Sequence, residues 1–233
     1  MHTMTEQKAY KVLIPYSESA TPRKSFKVEY EVEAPDNACA LRKAENLFNS
    51  YSESNSASWV RTINRGGVRV WRLSEGLPKN PQEIDELCER LVKADDEKSI
   101  AAMLKTLAQL EDAFTTSFIL ARTKHANMKI AAEAIEAIEK IGDPTSLLAV
   151  KNLYKDGTPI ELKIRIITAI SRIALPEDDI LDFMSEALGD ESPEVRRAAE
   201  EAFNILEGRA LASGWVDWLK ARQKRMFNNK TSV

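Results

Sequence analysis

Two tryptophans and four arginines are concentrated in one stretch of the 233-residue chain, from Trp59 to Leu73, which reads WVRTINRGGVRVWRL. Aromatic rings can stack nucleic-acid bases and arginines can hold phosphates, so this composition is typical of sheets that bind single strands. The residues that would do so are Trp59, Arg61, Arg69, Trp71 and Arg72. The alternative is a half-buried pair of strands whose tryptophans fill the core and whose arginines are solvated. The stretch has no aromatic RNA-binding consensus, which favours the alternative.

No combination of residues suits covalent or metal catalysis. The histidines, His2 and His125, have no second His or Cys at a metal-ligand spacing. Cys39 and Cys88 lie among apolar residues of helical stretches with no base beside them, so buried thiols are a better interpretation than nucleophiles. The sequence therefore predicts a protein that is not an enzyme and has no cofactor or metal site.

Charge is distributed unevenly along the chain. Residues 1–77 carry 11 Lys and Arg against 9 Asp and Glu, residues 78–208 carry 16 against 26, and residues 209–233 carry 6 against 1. Phosphate contacts need Lys and Arg, so the acidic middle disfavours nucleic acid as a direct partner. It favours a protein partner with a basic patch. The carboxylates that we expect to contact this partner are Glu133, Glu136, Glu161, Asp179, Glu186 and Glu194.

Hydropathy predicts no membrane span. The mean hydropathy is -0.36, and no apolar run approaches the roughly 20 residues that cross a bilayer. The stretch from Met1 to Ala9 is polar and does not resemble a signal peptide. We therefore expect a cytoplasmic protein.

The first 77 residues predict a small α+β domain. Residues 8–16 are rich in β-forming residues, and in residues 25–33 apolar residues alternate with charged ones, the pattern of a strand with one buried face. Pro35-Asp36-Asn37 stops this strand and offers an N-cap for a helix that extends to about residue 52. With two further strands, the predicted order is β-β-α-β-β, a helix packed on one face of an antiparallel sheet.

The last two of these strands flank a turn sequence. Residues 64–67 read Asn-Arg-Gly-Gly, which predicts a hairpin. If Ile63 pairs with Val68, Arg72 lies opposite Trp59, close enough for cation–π stacking.

From residue 78 the composition changes to that of helices, so we predict domains at residues 1–77 and 78–233. The candidate helices are residues 81–93, 96–111, 113–124, 127–141, 144–155, 160–174, 177–188, 193–207 and 214–227. Three of them share an apolar template, which recurs as Ile130, Ala137, Ile138 and Ile141, as Leu162, Ala169, Ile170 and Ile173, and as Val195, Ala202, Phe203 and Leu206. A period of roughly 33 residues with two helices per unit is typical of an α-solenoid.

Residues 190–199, which read DESPEVRRAA, resemble the HEAT-repeat family in its short, bacterial-style form. Residues 141–144, IGDP, are similar to the turn between units of that family. The resemblance covers about residues 81–208 and implies about four helix pairs. Because such arrays usually bind proteins, it implies a scaffold or adaptor, although some HEAT-like proteins are pigment lyases. It also implies structural roles for the turn and second-helix residues Asp156, Lys163, Asp190 and Arg196.

The basic C-terminal segment predicts a capping helix. Trp215, Trp218, Leu219 and Met226 recur at helical spacing between residues 214 and 229, so they can share one face. A solenoid must cover the apolar face of its last repeat, and this face would do so. The alternative is a basic amphipathic helix that docks on a membrane or a partner.

Overall fold

The computed structural model describes residues 6–55, 60–175 and 180–213. By its contacts the chain divides into two compact units, residues 1–118 and 119–233. The domain boundary at residues 77 and 78 stays a prediction, but the first compact unit also contains the two helices that follow it.

The first unit contains a four-stranded antiparallel sheet and a helix, in the predicted order. The strands are β1 (Lys8–Glu18), β2 (Ser25–Ala34), β3 (Arg61–Ile63) and β4 (Arg69–Arg72), and α1 (Asn37–Asn55) follows β2. The strand β1 pairs with β2 along one edge and with both β3 and β4 along the other. The α+β architecture, with a sheet followed by a run of helices, is therefore confirmed.

The predicted hairpin between the last two strands is wrong. Ile63 pairs with Tyr16 and Val70 pairs with Val12, so β3 and β4 follow one another along the same edge of β1. Arg72 lies opposite Tyr10, rather than opposite Trp59, which is outside the described residues.

The reason lies in the turn between β3 and β4. Residues Arg65–Gly67 form a single 3-10 turn that interrupts the edge without reversing the chain. A Cβ atom on Gly67 would lie 2.8 Å from Cγ of Pro15, so the turn passes directly against β1. The Gly-rich sequence serves this close approach and not a reversal.

The core of the sheet lies between β1 and α1. Even-numbered residues of β1 face this helix, as expected for a period of two. The buried cluster consists of Tyr10, Val12, Ile14, Tyr16, Ala34, Ala40, Ala44 and Phe48. Asp36 begins the helix as expected, because its Oδ1 accepts a 2.7 Å hydrogen bond from the N–H of Cys39.

Two capped helices complete the first unit. The helix α2 (Pro81–Lys93) begins after Asn80, and α3 (Glu97–Leu110) begins after Asp96; each cap side chain accepts a hydrogen bond from a backbone N–H of the first turn. These helices contact each other, and α3 contacts β4.

The second unit consists of short and long helices in alternation. In chain order they are α4 (Thr116–Leu120), which begins in the first unit, α5 (Met128–Ile141), α6 (Leu147–Lys151), α7 (Ile160–Ile173), α8 (Leu181–Leu188) and α9 (Pro193–Ser213). Two predicted helices, at 113–124 and 144–155, are replaced by short α-helices with 3-10 turns beside them. The helix α9 continues past the predicted end at 207, and the predicted capping helix at 214–227 lies outside the described residues.

The repeat template describes the packing of this unit. All three Ala positions, together with Ile138, Ile141, Ile170, Ile173 and Leu206, are buried. The long helices pack in series, α5 on α7 and α7 on α9, while α6 packs on α7 and α8 on α9. The helical region is therefore a HEAT-like stack of helix pairs, as predicted.

Candidate functional site

Two successive turns of the second unit border a groove of about 760 Å³. One turn, between α6 and α7, contributes Tyr154 and Asp156, and the other, between α8 and α9, contributes Asp190 and Glu191. Glu186 of α8 also lines it. We call this the acidic groove, since four of these five side chains are carboxylic acids.

Local sequence explains the second turn. The Oδ1 atom of Asp190 accepts a 2.9 Å hydrogen bond from the N–H of Ser192, and Ser192 Oγ accepts a 3.3 Å bond from the N–H of Val195. Ser192 thus caps α9, and Pro193 occupies its first turn, where no N–H is needed.

Asp190 joins neighbouring repeats at the base of the groove. Its Oδ2 atom accepts a 2.6 Å bond from Nζ of Lys163 and a 2.7 Å bond from the hydroxyl of Tyr154. Burial would raise the pKa of Asp190, but the donors Lys163, Ser192 and Tyr154 outweigh it and lower that pKa to about 2. The backbone carbonyl of Asp190 accepts from Arg196 at 2.8 Å.

These bonds agree with the structural roles that the family resemblance implies for Asp190, Lys163 and Arg196. Asp156, in contrast, is exposed at the rim of the groove. Because Lys163 and Asp190 neutralise each other, the charge of the groove comes from Asp156, Glu186 and Glu191.

Those three carboxylates are free to meet a ligand. All three belong to exposed residues, and no Lys or Arg of the described ranges lies within ion-pairing distance of them. Ile160, which is 49% exposed, adds an apolar wall. The arrangement suits a chain segment in which basic residues flank an apolar one.

The carboxylates predicted to contact a partner are spread over the second unit. Glu186 lies in the groove, while Glu161 and Glu194 are exposed in the first turns of α7 and α9. Glu133 and Glu136 are half-buried on α5, and Asp179 is outside the described residues.

Glu136 already has cationic partners within its own repeat stack. It accepts a 2.8 Å bond from Lys140, which lowers its pKa, and it lies 3.5 Å from Arg165 of α7. At the rim of the groove, the sequence analysis gave Asp156 a structural role and did not name Glu191. The available signal was the position of both residues in turns, close to Gly157 and Gly189.

Two members of the predicted nucleic-acid set are buried in the first unit. Trp71 is 0% exposed and Arg69 is 8% exposed. The guanidinium of Arg69 donates at 2.7 Å to both Asp112 and Asp85, and it lies 4.2 Å from the ring centroid of Phe114. Burial would lower the pKa of Arg69, but the two carboxylates raise it, so the charge is retained and fully paired.

The two remaining arginines of that set are also engaged. Arg61 lies over the ring of Tyr16 at 4.7 Å, and Arg72 is 3.9 Å from Glu111. Trp59 is outside the described residues. Because Trp71 is fully buried, a base could stack on it only after elements packed against β4, such as α3, moved away. The interpretation as a half-buried sheet therefore describes this region better.

Three further observations on the described residues bear on catalysis and on membrane insertion. Cys88 is 1% exposed, and burial followed by the nearby carboxylates raises its pKa to about 12. Within residues 6–55, 60–175 and 180–213, no three His, Cys, Asp or Glu side chains are grouped to hold a metal ion. Among the same residues, no helix is long and apolar enough to span a bilayer.

The repeat stack matches a known family. Residues 84–171 match the family model of HEAT repeats. Within the helical region, the part from residue 84 to residue 171 is therefore similar to HEAT repeats. This match begins in α2 and ends in α7, so the HEAT pattern includes the helix pair of the first unit, while residues 1–83 lie outside it.

One solved structure with a similar chain is the complex of CpcE and CpcF of phycocyanin lyase from Nostoc sp. PCC7120. The two chains share 16% sequence identity, with a TM-score of 0.46, over 55% of this chain and 54% of that one. The match thus spans about half of the neighbour, and a similarity at this level carries no functional argument. No curated protein shows significant similarity to the chain.

Proposed function

We propose that this protein is a non-catalytic cytoplasmic scaffold or adaptor whose HEAT repeats bind a protein segment rich in basic residues. The observation that supports it best is the acidic groove, which is lined by the carboxylates of Asp156, Glu186 and Glu191 and by the exposed side chain of Ile160. Helical repeat arrays present extended surfaces of this kind to proteins and peptides.

In this proposal the parts of the groove have different roles. The bond from Tyr154 to Asp190 links the two turns, and Lys163 of α7 also bonds to Asp190, so the rim carboxylates lie on turns that are bonded to each other. Ile160 offers apolar area, whose burial would favour binding, while the rim carboxylates attract and orient basic side chains. Since rim charges are screened by salt, binding should weaken as ionic strength rises.

The experiment compares two variants that change net charge equally. In Glu186→Gln/Glu191→Gln both neutralised residues line the groove; in Glu200→Gln/Glu201→Gln both are exposed on α9 away from it. Binding of Lys- and Arg-rich peptides that contain one Leu or Ile is measured by fluorescence anisotropy at two salt concentrations.

We expect the groove variant to lose about tenfold in affinity, since two rim charges each contribute up to about 0.7 kcal/mol. The α9 variant should bind almost normally. Equal losses in both variants would indicate that the peptides sense only net charge, and the groove assignment would then be wrong.

A further inference from the structure

The strand β2 has one edge that faces away from the sheet. The carbonyls of Ala9 and Pro15 accept 2.8 Å bonds from the N–H groups of Leu73 and Asn64, so odd-numbered residues of β1 direct their backbone groups away from β2. Even-numbered residues of β1 therefore bond to β2, where they pair with even-numbered residues. It follows that odd-numbered residues of β2 direct their N–H and C=O groups to the outer edge.

A side chain confirms this direction. Nζ of Lys43 on α1 donates a 2.6 Å hydrogen bond to the carbonyl of Glu33, at the C-terminal end of the edge. For Lys27, Glu29 and Glu31, no bond from the described part of the chain reaches the outward backbone groups. A strand of ten residues with such an open edge is a template for another strand.

The two faces of β2 differ in polarity. Phe26, Val28, Tyr30 and Val32 are half-buried against the core, while Lys27, Glu29 and Glu31 are exposed on the opposite face. A strand added to this edge would cover the remaining exposed area of the apolar side chains and would meet a row of alternating charge on the other face.

We propose that this edge pairs antiparallel with β2 of a second copy of the chain, with the two-fold axis at Val28. In this register Lys27 of each copy lies opposite Glu29 of the other, and Phe26 lies opposite Tyr30. The sequence of the strand is therefore complementary to itself in both charge and ring position.

The charges select this register. A register centred on Lys27 puts two lysines opposite each other, one centred on Glu29 does the same with two glutamates, and one centred on Tyr30 puts Glu29 opposite Glu31 twice. Of the four registers centred on residues 27 to 30, the one at Val28 alone avoids like charges that face each other.

The pairing also extends an ion pair that already exists. Glu29 lies 2.8 Å from Lys11 of β1, so in the dimer it would stand between Lys11 and Lys27 of the second copy. Two four-stranded sheets become one continuous sheet of eight strands, whose seam is bonded by the outward groups of Lys27, Glu29 and Glu31. This surface is separate from the acidic groove, so either proposal can fail alone.

The test uses the full chain and two charge variants, with the association state measured by sedimentation equilibrium. In the proposed dimer, residue 27 of each copy lies opposite residue 29 of the other, so there are two such facing pairs. Lys27→Glu and Glu29→Lys each put like charges in both facing pairs, and each should weaken self-association about tenfold or more. A mixture of the two variants restores opposite charges in both facing pairs and should form the mixed dimer. Glu31→Lys, which lies opposite Ser25 in this register, makes the same charge change as Glu29→Lys and should have little effect.

Each outcome decides the proposal. A chain that remains monomeric at high micromolar concentration overturns it, as does a dimer that Lys27→Glu leaves unchanged. Recovery in the mixture supports the Val28 register, and equal weakening by Glu31→Lys contradicts it. Circular dichroism melting of each variant shows whether the fold has been retained, and a carbodiimide cross-link between Lys27 and Glu29 of differently isotope-labelled copies identifies the pair independently of stability.

Discussion

The hydroxyl of Tyr10 donates a 2.6 Å hydrogen bond to the carboxylate of Glu111, which joins the first strand to the end of α3. Glu111 has a φ of 55°, in the left-handed region that favours glycine. Its carboxylate also accepts a 2.7 Å bond from Lys8, and its carbonyl accepts a 3.1 Å bond from Asn37. Two elements of the first unit, β1 and α1, therefore hold one strained residue at the end of α3.

Replacing Glu111 by glycine tests whether the backbone strain at this residue outweighs the hydrogen bonds that its carboxylate accepts. Glu111→Gly relieves a left-handed backbone that costs about 1 kcal/mol, but it removes bonds to a charged group that contribute roughly 1.5–3 kcal/mol each. With two such bonds lost, we expect a net loss of about 2–5 kcal/mol in the free energy of unfolding by urea. A Glu111→Gly protein more stable than wild type would mean that strain outweighs these bonds. Tyr10→Phe serves as a control that removes one bond without changing the backbone.

Asp190 should make the second unit sensitive to acid. Its pKa of about 2 lies below the ordinary value of 3.8, so the stabilisation it provides is complete above about pH 4 and is lost as the pH falls towards 2. Asp190→Asn should lower the free energy of unfolding by about 2 kcal/mol at pH 7. Thermal melts should show this difference shrinking between pH 4 and pH 2. Asp156→Asn, at an exposed turn position of the same groove, should show almost no difference at either pH.

The first compact unit should need its helix pair. A fragment of residues 1–77 would expose Trp71 and would leave Arg69 without Asp85 and Asp112. We expect it to unfold or aggregate, while residues 1–118 fold cooperatively. With Trp59→Phe in both fragments, the fluorescence of Trp71 reports the difference as blue-shifted emission from the longer one alone. Similar emission from both would place the domain boundary at residue 77, as composition suggests.

The two thiols should differ in reactivity. Cys88 is buried with a pKa of about 12, whereas Cys39 is half-buried near the start of α1. Because the thiolate is the reactive form, Cys88 should react with an aromatic disulfide reagent at pH 8 only as fast as the unit opens. Cys39 should react much sooner. The reaction of Cys39 should therefore be a fast phase that is absent from the Cys39→Ser variant. A fast phase that remains in this variant would contradict the burial of Cys88.

Periodicity was sufficient to predict the order of elements. The alternation from Phe26 to Val32 and the template from Ile130 to Leu206 depend on positions within one element or one repeat, so sequence spacing carries them. The prediction of a hairpin at residues 64–67 was wrong because the pairing depends on a distant part of the chain. Residues 64–67 have the composition of a reversal, but the edge of β1 beside Pro15 offers both strands a partner, and no local pattern reveals that partner.

For the candidate groove, the sequence predicted only the sign of its charge. An acidic repeat region pointed to a basic partner, and Glu186 does line the groove. The sequence could not show that Glu136, unlike Glu186, is already paired. Its partner Arg165 lies on another helix, so the ion pair depends on how the repeats stack. Asp156 and Glu191 are 35 residues apart in sequence and reach one groove only because consecutive turns are adjacent.

The contact between Tyr10 and Glu111 spans 101 residues of sequence, and this separation has a consequence during synthesis. At about 5–20 residues per second, a ribosome needs about 5–20 seconds between making these two residues. Until the end of that interval, β1 lacks the carboxylate that its tyrosine requires, and for the first part of it β4 and α3 have not been made either. The nascent first unit thus waits with its central strand incomplete, and early chaperone contact should fall on residues 8–18 rather than on the repeats.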